Sequence, residues 1–127
     1  MRFFVADDSV QFRRGIRKLA EVVEDIELVG EAETAAETLA EVERLEPDVL
    51  VLALQLGESS GLEVVKALSN RRARPVIILV TDFCNELLES KRGIDYVVDK
   101  SLEVERLIEI LIGVAFGKAV NVAHERR

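Results

Sequence analysis

The sequence predicts an α/β fold in which five strands alternate with five helices around one parallel sheet. Three observations predict it. Strand-like and helix-like segments alternate from the first residues to the last helix. The middle strand, Asp48–Leu54, is continuously apolar after its first residue, as a strand covered on both faces must be. The chain has 127 residues, enough for one core but not for two. A chain of this size buries roughly 65–70% of its unfolded surface, so no disulfide or metal is needed to hold it.

Arg2–Ala6 reads as the first strand, broken by Asp7-Asp8-Ser9, with Ser9 placed to cap a helix. In that helix, about Val10 to Glu24, Ile16, Leu19, Ala20 and Val23 recur at i, i+3, i+4, i+7, with Phe12 one turn earlier. Ile26–Gly30 is the second strand. Thr34 caps a helix that runs to about Leu45 and stops before Pro47, which pushes its predecessor out of helical geometry. After the third strand, Gln55 to Ser60 reads as a loop, and Gly61, Val64, Val65 and Leu68 mark the third helix. Arg71 to Pro75 is a turn and Val76–Val80 a fourth buried strand. A short helix, about Cys84 to Lys91, ends at Gly93, and Ile94–Val98 is the fifth strand. The last helix starts near Leu102 and turns Val104, Leu107, Ile108 and Leu111 to one face.

The charge balance excludes some functions. With 17 basic and 24 acidic side chains the net charge is −7, which opposes binding to nucleic acid by phosphate neutralisation and to anionic membranes. The single Cys84 forms no internal disulfide, and the single His124 sits in the tail, so no zinc spacing exists. The N-terminus lacks the apolar core of a signal peptide. The densest apolar run, Leu107–Phe116, contains Glu109 and is too short to span a bilayer. A cytoplasmic location is the expectation.

In parallel α/β sheets, chemistry gathers at the carboxyl ends of the strands. Those ends carry Asp7-Asp8, Ala53 to Gly57, Thr81-Asp82 and Asp99-Lys100. With Val5-Ala6-Asp7-Asp8-Ser9, Pro47-Asp48-Val49-Leu50-Val51-Leu52, Ser60-Gly61-Leu62-Glu63, Ile77-Ile78-Leu79-Val80-Thr81 and Asp95-Tyr96-Val97-Val98-Asp99-Lys100-Ser101, the chain resembles the receiver domains of two-component response regulators over about residues 1–112. The resemblance implies a flavodoxin-like (βα)5 three-layer sandwich with strand order 2-1-3-4-5. It also implies site roles. Asp7 and Asp8 would be the metal-binding acids, and Gln55 would offer its backbone carbonyl to the metal. Thr81 would be the hydroxyl, and Lys100 the cation, that hold phosphoryl oxygens.

The phosphoacceptor aspartate is missing: its position is Ala53. Other departures accompany it. Gly57 stands where the family has Pro, the stretch from Thr81 to Gly93 is about three residues short, Val97 occupies the aromatic switch position, and Asp82 follows Thr81. Asp82 reads as a loop carboxylate, since in-line attack from strand four would be fortuitous. The expectation is a stand-alone pseudo-receiver that works by protein–protein interaction without phosphorylation. The alternatives are an inactive Asp-to-Ala mutant of a conventional single-domain regulator served by a histidine kinase, and a flavodoxin-like small-ligand-binding module. No triad or paired general acid and base argues for an enzyme.

Expected partners are proteins of a two-component or related pathway. No cofactor is expected, and Mg²⁺ binds only weakly, if at all, with a ligand gone from position 53. Lys100 must then find Asp7, Asp8 or Asp82 as its partner. Residues 1–117 are expected to form the receiver-like domain, with 118–127 a tail or an extension of the last helix. Ile110, Ile112, Val114 and Phe116 cannot all share the sheet-facing side of that helix, which points to a homodimer through them.

Overall fold

Runs of β-branched and aromatic residues form the strands here, and segments with one apolar face form the helices between them. The structure is a computed structural model that describes residues 1–82, 92–101 and 104–117. In chain order the elements are β1 Arg2–Ala6, α1 Val10–Val22, β2 Glu27–Ala32, α2 Ala35–Leu45, β3 Val49–Ala53, β4 Gln55–Leu56, β5 Ser59–Ser60, α3 Gly61–Leu68, β6 Val76–Thr81, β7 Tyr96–Asp99 and α4 Val104–Ala115. The main sheet has the order β2-β1-β3-β6-β7, all parallel. This is the predicted order 2-1-3-4-5, because β4 and β5 form a separate small hairpin. The predicted short helix at Cys84–Lys91, and with it Cys84, lies outside the described residues, as does His124.

The sheet's interior strands are covered on both faces. Phe3, Phe4, Val5 and Ala6 of β1, Val49 to Leu52 of β3 and Ile77 to Leu79 of β6 are fully buried. Side chains in a strand alternate between faces, so burial of consecutive residues requires a helical layer on each side. The edge strand β2 carries an irregularity: Phe3 pairs with Leu28 but Phe4 with Gly30, so Val29 is skipped in the ladder. Gly30 fits there because a Cβ would press on the Phe4 ring.

The helix starts follow side-chain capping. Ser9 Oγ accepts the Phe12 N–H at 3.2 Å, and Thr34 Oγ1 accepts the Glu37 N–H at 3.1 Å. Ser60 and Glu63 form a reciprocal capping box at α3. Helix α2 ends at Glu46, which holds a left-handed φ of 48° and lets Pro47 begin the approach to β3.

Two expectations need correction. The predicted loop from Gln55 to Ser60 pairs with itself: Gln55 faces Ser60 and Leu56 faces Ser59, with Gly57 taking the positive φ of the turn. Two-residue strands are too short to leave a periodic signature. In α4 the core stripe is Leu107, Ile110 and Leu111, with Val114 packed against them, while Val104 is 49% exposed. That stripe also follows i, i+3, i+4, i+7, rotated by one helix-face choice from the predicted set. Ile110 and Val114 therefore belong to the core. Ile112 is half-buried and Phe116 is 59% exposed.

Gly61 sits where β3 and α3 meet. Its N–H donates to the Leu54 carbonyl at 2.7 Å, and a Cβ on it would collide with the Ala53 carbonyl oxygen. Because that obstacle is backbone, Gly61→Ala is expected to cost about 2–3 kcal/mol. Urea denaturation should show a lower midpoint at an unchanged slope. A midpoint equal to wild type would mean that α3 is free to shift.

Candidate functional site at the carboxyl edge of the sheet

The C-terminal ends of β1, β3, β6 and β7 converge on a cleft of about 250 Å³ lined by Asp8, Ala53, Leu54, Gln55, Val80, Thr81, Asp82 and Lys100. Parallel pairing brings them together. Ala6 lies beside Leu52, Ala53 beside Val80, and Thr81 beside Asp99, so the next residues of each strand open on one edge.

Asp7 is fully buried. Its Oδ1 accepts the Ser9 N–H at 2.8 Å, and its Oδ2 lies 2.7 Å from Lys100 Nζ. This is the ion pair the sequence demands of Lys100, and Asp7 is the partner. The ammonium also sits 4.8 Å from the centroid of the Phe12 ring, within reach of a cation–π attraction. Asp8 is exposed and turns to the small hairpin, where its Oδ2 accepts the Gly57 N–H at 3.0 Å. Ala53 is buried at the end of β3, Thr81 and Val97 are buried, and Asp82 and Gln55 are exposed on the rim.

One residue of this neighbourhood escaped the sequence reading. Arg13 is almost fully buried beneath the site. It donates to the Asp7 carbonyl at 2.6 Å and to Glu31 and Glu33 at 3.1 and 3.0 Å, while Arg17 reaches Glu31 at 2.9 Å. A buried guanidinium needs such partners, since its desolvation is costly. The signal was present: Arg13 precedes Ile16 by three and Ala20 by seven, on the apolar side of α1. At the opposite sheet edge Arg74 pairs with Asp95 at 2.9 Å, and the hydrogen bond to that carboxylate raises the arginine's pKa further. The arginine cluster at residues 71–74 thus includes a structural ion pair.

The donor set fits a divalent cation poorly. Mg²⁺ requires a near-octahedral shell of oxygens at about 2.0–2.1 Å. Here one Asp7 oxygen faces a backbone N–H and the other an ammonium, Asp8 spends an oxygen on Gly57, and Ala53 supplies none. Among the described residues no three His, Cys, Asp or Glu side chains converge as metal ligands.

The sequence pattern of the response regulator receiver domain matches residues 3–112. Transcriptional regulatory protein BtsR of Salmonella typhi is 34% identical over 113 residues, covering 87% of this chain and 46% of that protein. Sensory transduction protein LytT of Bacillus anthracis is 26% identical with the same coverage. The chain therefore spans about half the length of these curated relatives. Among solved structures, the isolated REC domain of RcsB from Salmonella enterica serovar Typhimurium, in the presence of phosphomimetic BeF3-, is similar with a TM-score of 0.81 at 25% identity, covering 94% of this chain and 91% of that one. The receiver domain of NarL from Mycobacterium tuberculosis gives 0.79 at 21% identity, covering 92% and 97%.

Removing the Lys100 charge would leave Asp7 buried without its counter-charge. Breaking a buried pair costs about 3–5 kcal/mol, less where one partner is partly solvated. Lys100 is 23% exposed, so Lys100→Met is expected to lose about 2–3 kcal/mol in urea denaturation. Wild-type stability in that variant would show that the pair contributes nothing.

Proposed function

The chain belongs to the response regulator receiver family, and from that premise we propose that it is a receiver-like signalling module acting by protein–protein contact without phosphorylation. The observation that carries this reading is Ala53 at the buried end of β3, the family's acceptor position. A methyl group offers no nucleophile to a phosphoryl donor and no oxygen to a metal. The neighbouring groups have other engagements: Lys100 holds Asp7, and Asp8 holds the hairpin. Val97 at the switch position lacks the ring that would exchange places with a moving Thr81. Regulation then requires a partner or ligand that binds two conformations unequally, because nothing else can shift their populations.

The unit that signals on this reading is residues 1–117, with 118–127 a tail or helix extension, acting in the cytoplasm on proteins of a two-component or related pathway. Exposed Val104 and half-buried Ile112 on α4, with exposed Phe116 in the turn just after it, support self-association at that helix. The module is not an independent enzyme and requires no cofactor. A small-ligand role draws on the cleft beside Ala53, but about 250 Å³ falls below the ~300–1,000 Å³ usual for ligand pockets. Natural divergence, and not a single engineered change, is favoured by Gly57 and Val97 departing together with Ala53.

Incubation with acetyl phosphate and Mg²⁺, followed by intact-mass measurement, is expected to show no phosphoryl adduct. A hydroxylamine-sensitive adduct on Asp8 or Asp82 would overturn the reading. Sedimentation at high micromolar concentration is expected to show a dimer that Phe116→Glu converts to monomer, and a monomeric wild type would remove the self-association.

A further inference from the structure

The edge holding Asp7 already contains a cation. Asp7 lies fully buried with its Oδ2 2.7 Å from the Lys100 ammonium, and the ammonium is seated over the Phe12 ring. Arg13 donates to the carbonyl of the same aspartate at 2.6 Å, its own charge balanced by Glu31 and Glu33. An incoming divalent ion would have to displace the ammonium from a carboxylate that water does not reach. The attraction it would have to break is weakly screened there. It would also have to recover the Asp8 oxygen that supports Gly57. Ala53 offers no carboxylate in exchange.

We propose that the Lys100 ammonium is the resident counter-cation of this sheet edge, taking the charge-balancing place of a divalent metal, and that its loss opens the edge to one. The proposal deepens the phosphorylation-independent reading of the same site and rests on it. Phe12 has a part in it, since its ring face stabilises a monovalent cation at this spot without supplying an oxygen ligand. The ion that balances Asp7 is thus encoded in the chain and does not depend on the metal content of the surroundings.

Mn²⁺ titration of the full chain, read by the free-ion electron paramagnetic resonance signal, tests this directly. Wild type is expected to leave the signal undiminished up to about 1 mM Mn²⁺, and Lys100→Met to bind at least roughly tenfold more tightly. The same variant should gain thermal stability as Mn²⁺ is added, because a ligand that binds only the folded state stabilises it. If Lys100→Met does not fold, Lys100→Gln, which removes the charge but keeps a polar side chain, is titrated in its place with the same expectation. Uptake by wild type below about 1 mM, or a folded variant that binds no more tightly than wild type, would overturn the proposal. Wild-type uptake without a phosphoryl adduct from acetyl phosphate would remove the counter-cation and leave the functional reading standing. An adduct would remove that reading itself.

Discussion

A carboxylate with no access to water sits at the end of the strand beside the sheet's middle, and much of the site is arranged around it. Asp7 follows the four fully buried residues of β1, so parallel packing carries its charge into the protein. A buried charge persists only with compensation. The compensation comes from three directions: the Ser9 N–H of the following turn, the Lys100 ammonium after β7 and, through the main chain, Arg13 of α1. These contacts fasten the far strand of the sheet to its second strand and to the first helix. The edge is consequently a structural clasp.

Among the described residues, the long-range ion pairs gather at opposite ends of the sheet. At the carboxyl end, Arg13 and Arg17 meet Glu31 and Glu33, so the acidic pair shares its neighbourhood with a basic pair from the next turn of α1. At the amino end, Arg74 and Asp95 bridge the turn before β6 to the approach to β7, and the Asp95 carboxylate also accepts the Ile77 N–H at 2.7 Å. The net charge of −7 therefore understates how locally balanced the interior is.

What the sequence made legible follows from the physics of each element. Strands covered on both faces announce themselves as unbroken apolar runs, and Val49 to Ala53 and Val76 to Thr81 were placed to within a residue or so at each end. Helix starts were legible through Ser9 and Thr34, because capping is a local interaction. The place of Ala53 at the end of β3 was legible because the apolar run Val49 to Leu52 fixes it. The core face of α4 was not: Leu107 and Leu111 serve two overlapping apolar stripes, and only packing against the sheet selects the one containing Ile110. Arg13 was missed for a related reason. It falls on the apolar side of α1, but the carboxylates that make its burial tolerable, Glu31 and Glu33, arrive from another strand and loop 18 and 20 residues away.

The skipped pairing at Val29 bears on how such a chain lives at high concentration. An open parallel sheet has two free margins, each a template for another strand. On this molecule one margin, β2, carries a register irregularity and two acidic residues, Glu27 and Glu31, and the other, β7, is only four residues long. Growth by strand addition, which has no natural stopping point, is discouraged at both. The self-association proposed above would then fall to helix faces, where two-fold pairing closes on itself and ends. A signalling surface can remain adhesive under that arrangement without the molecule polymerising.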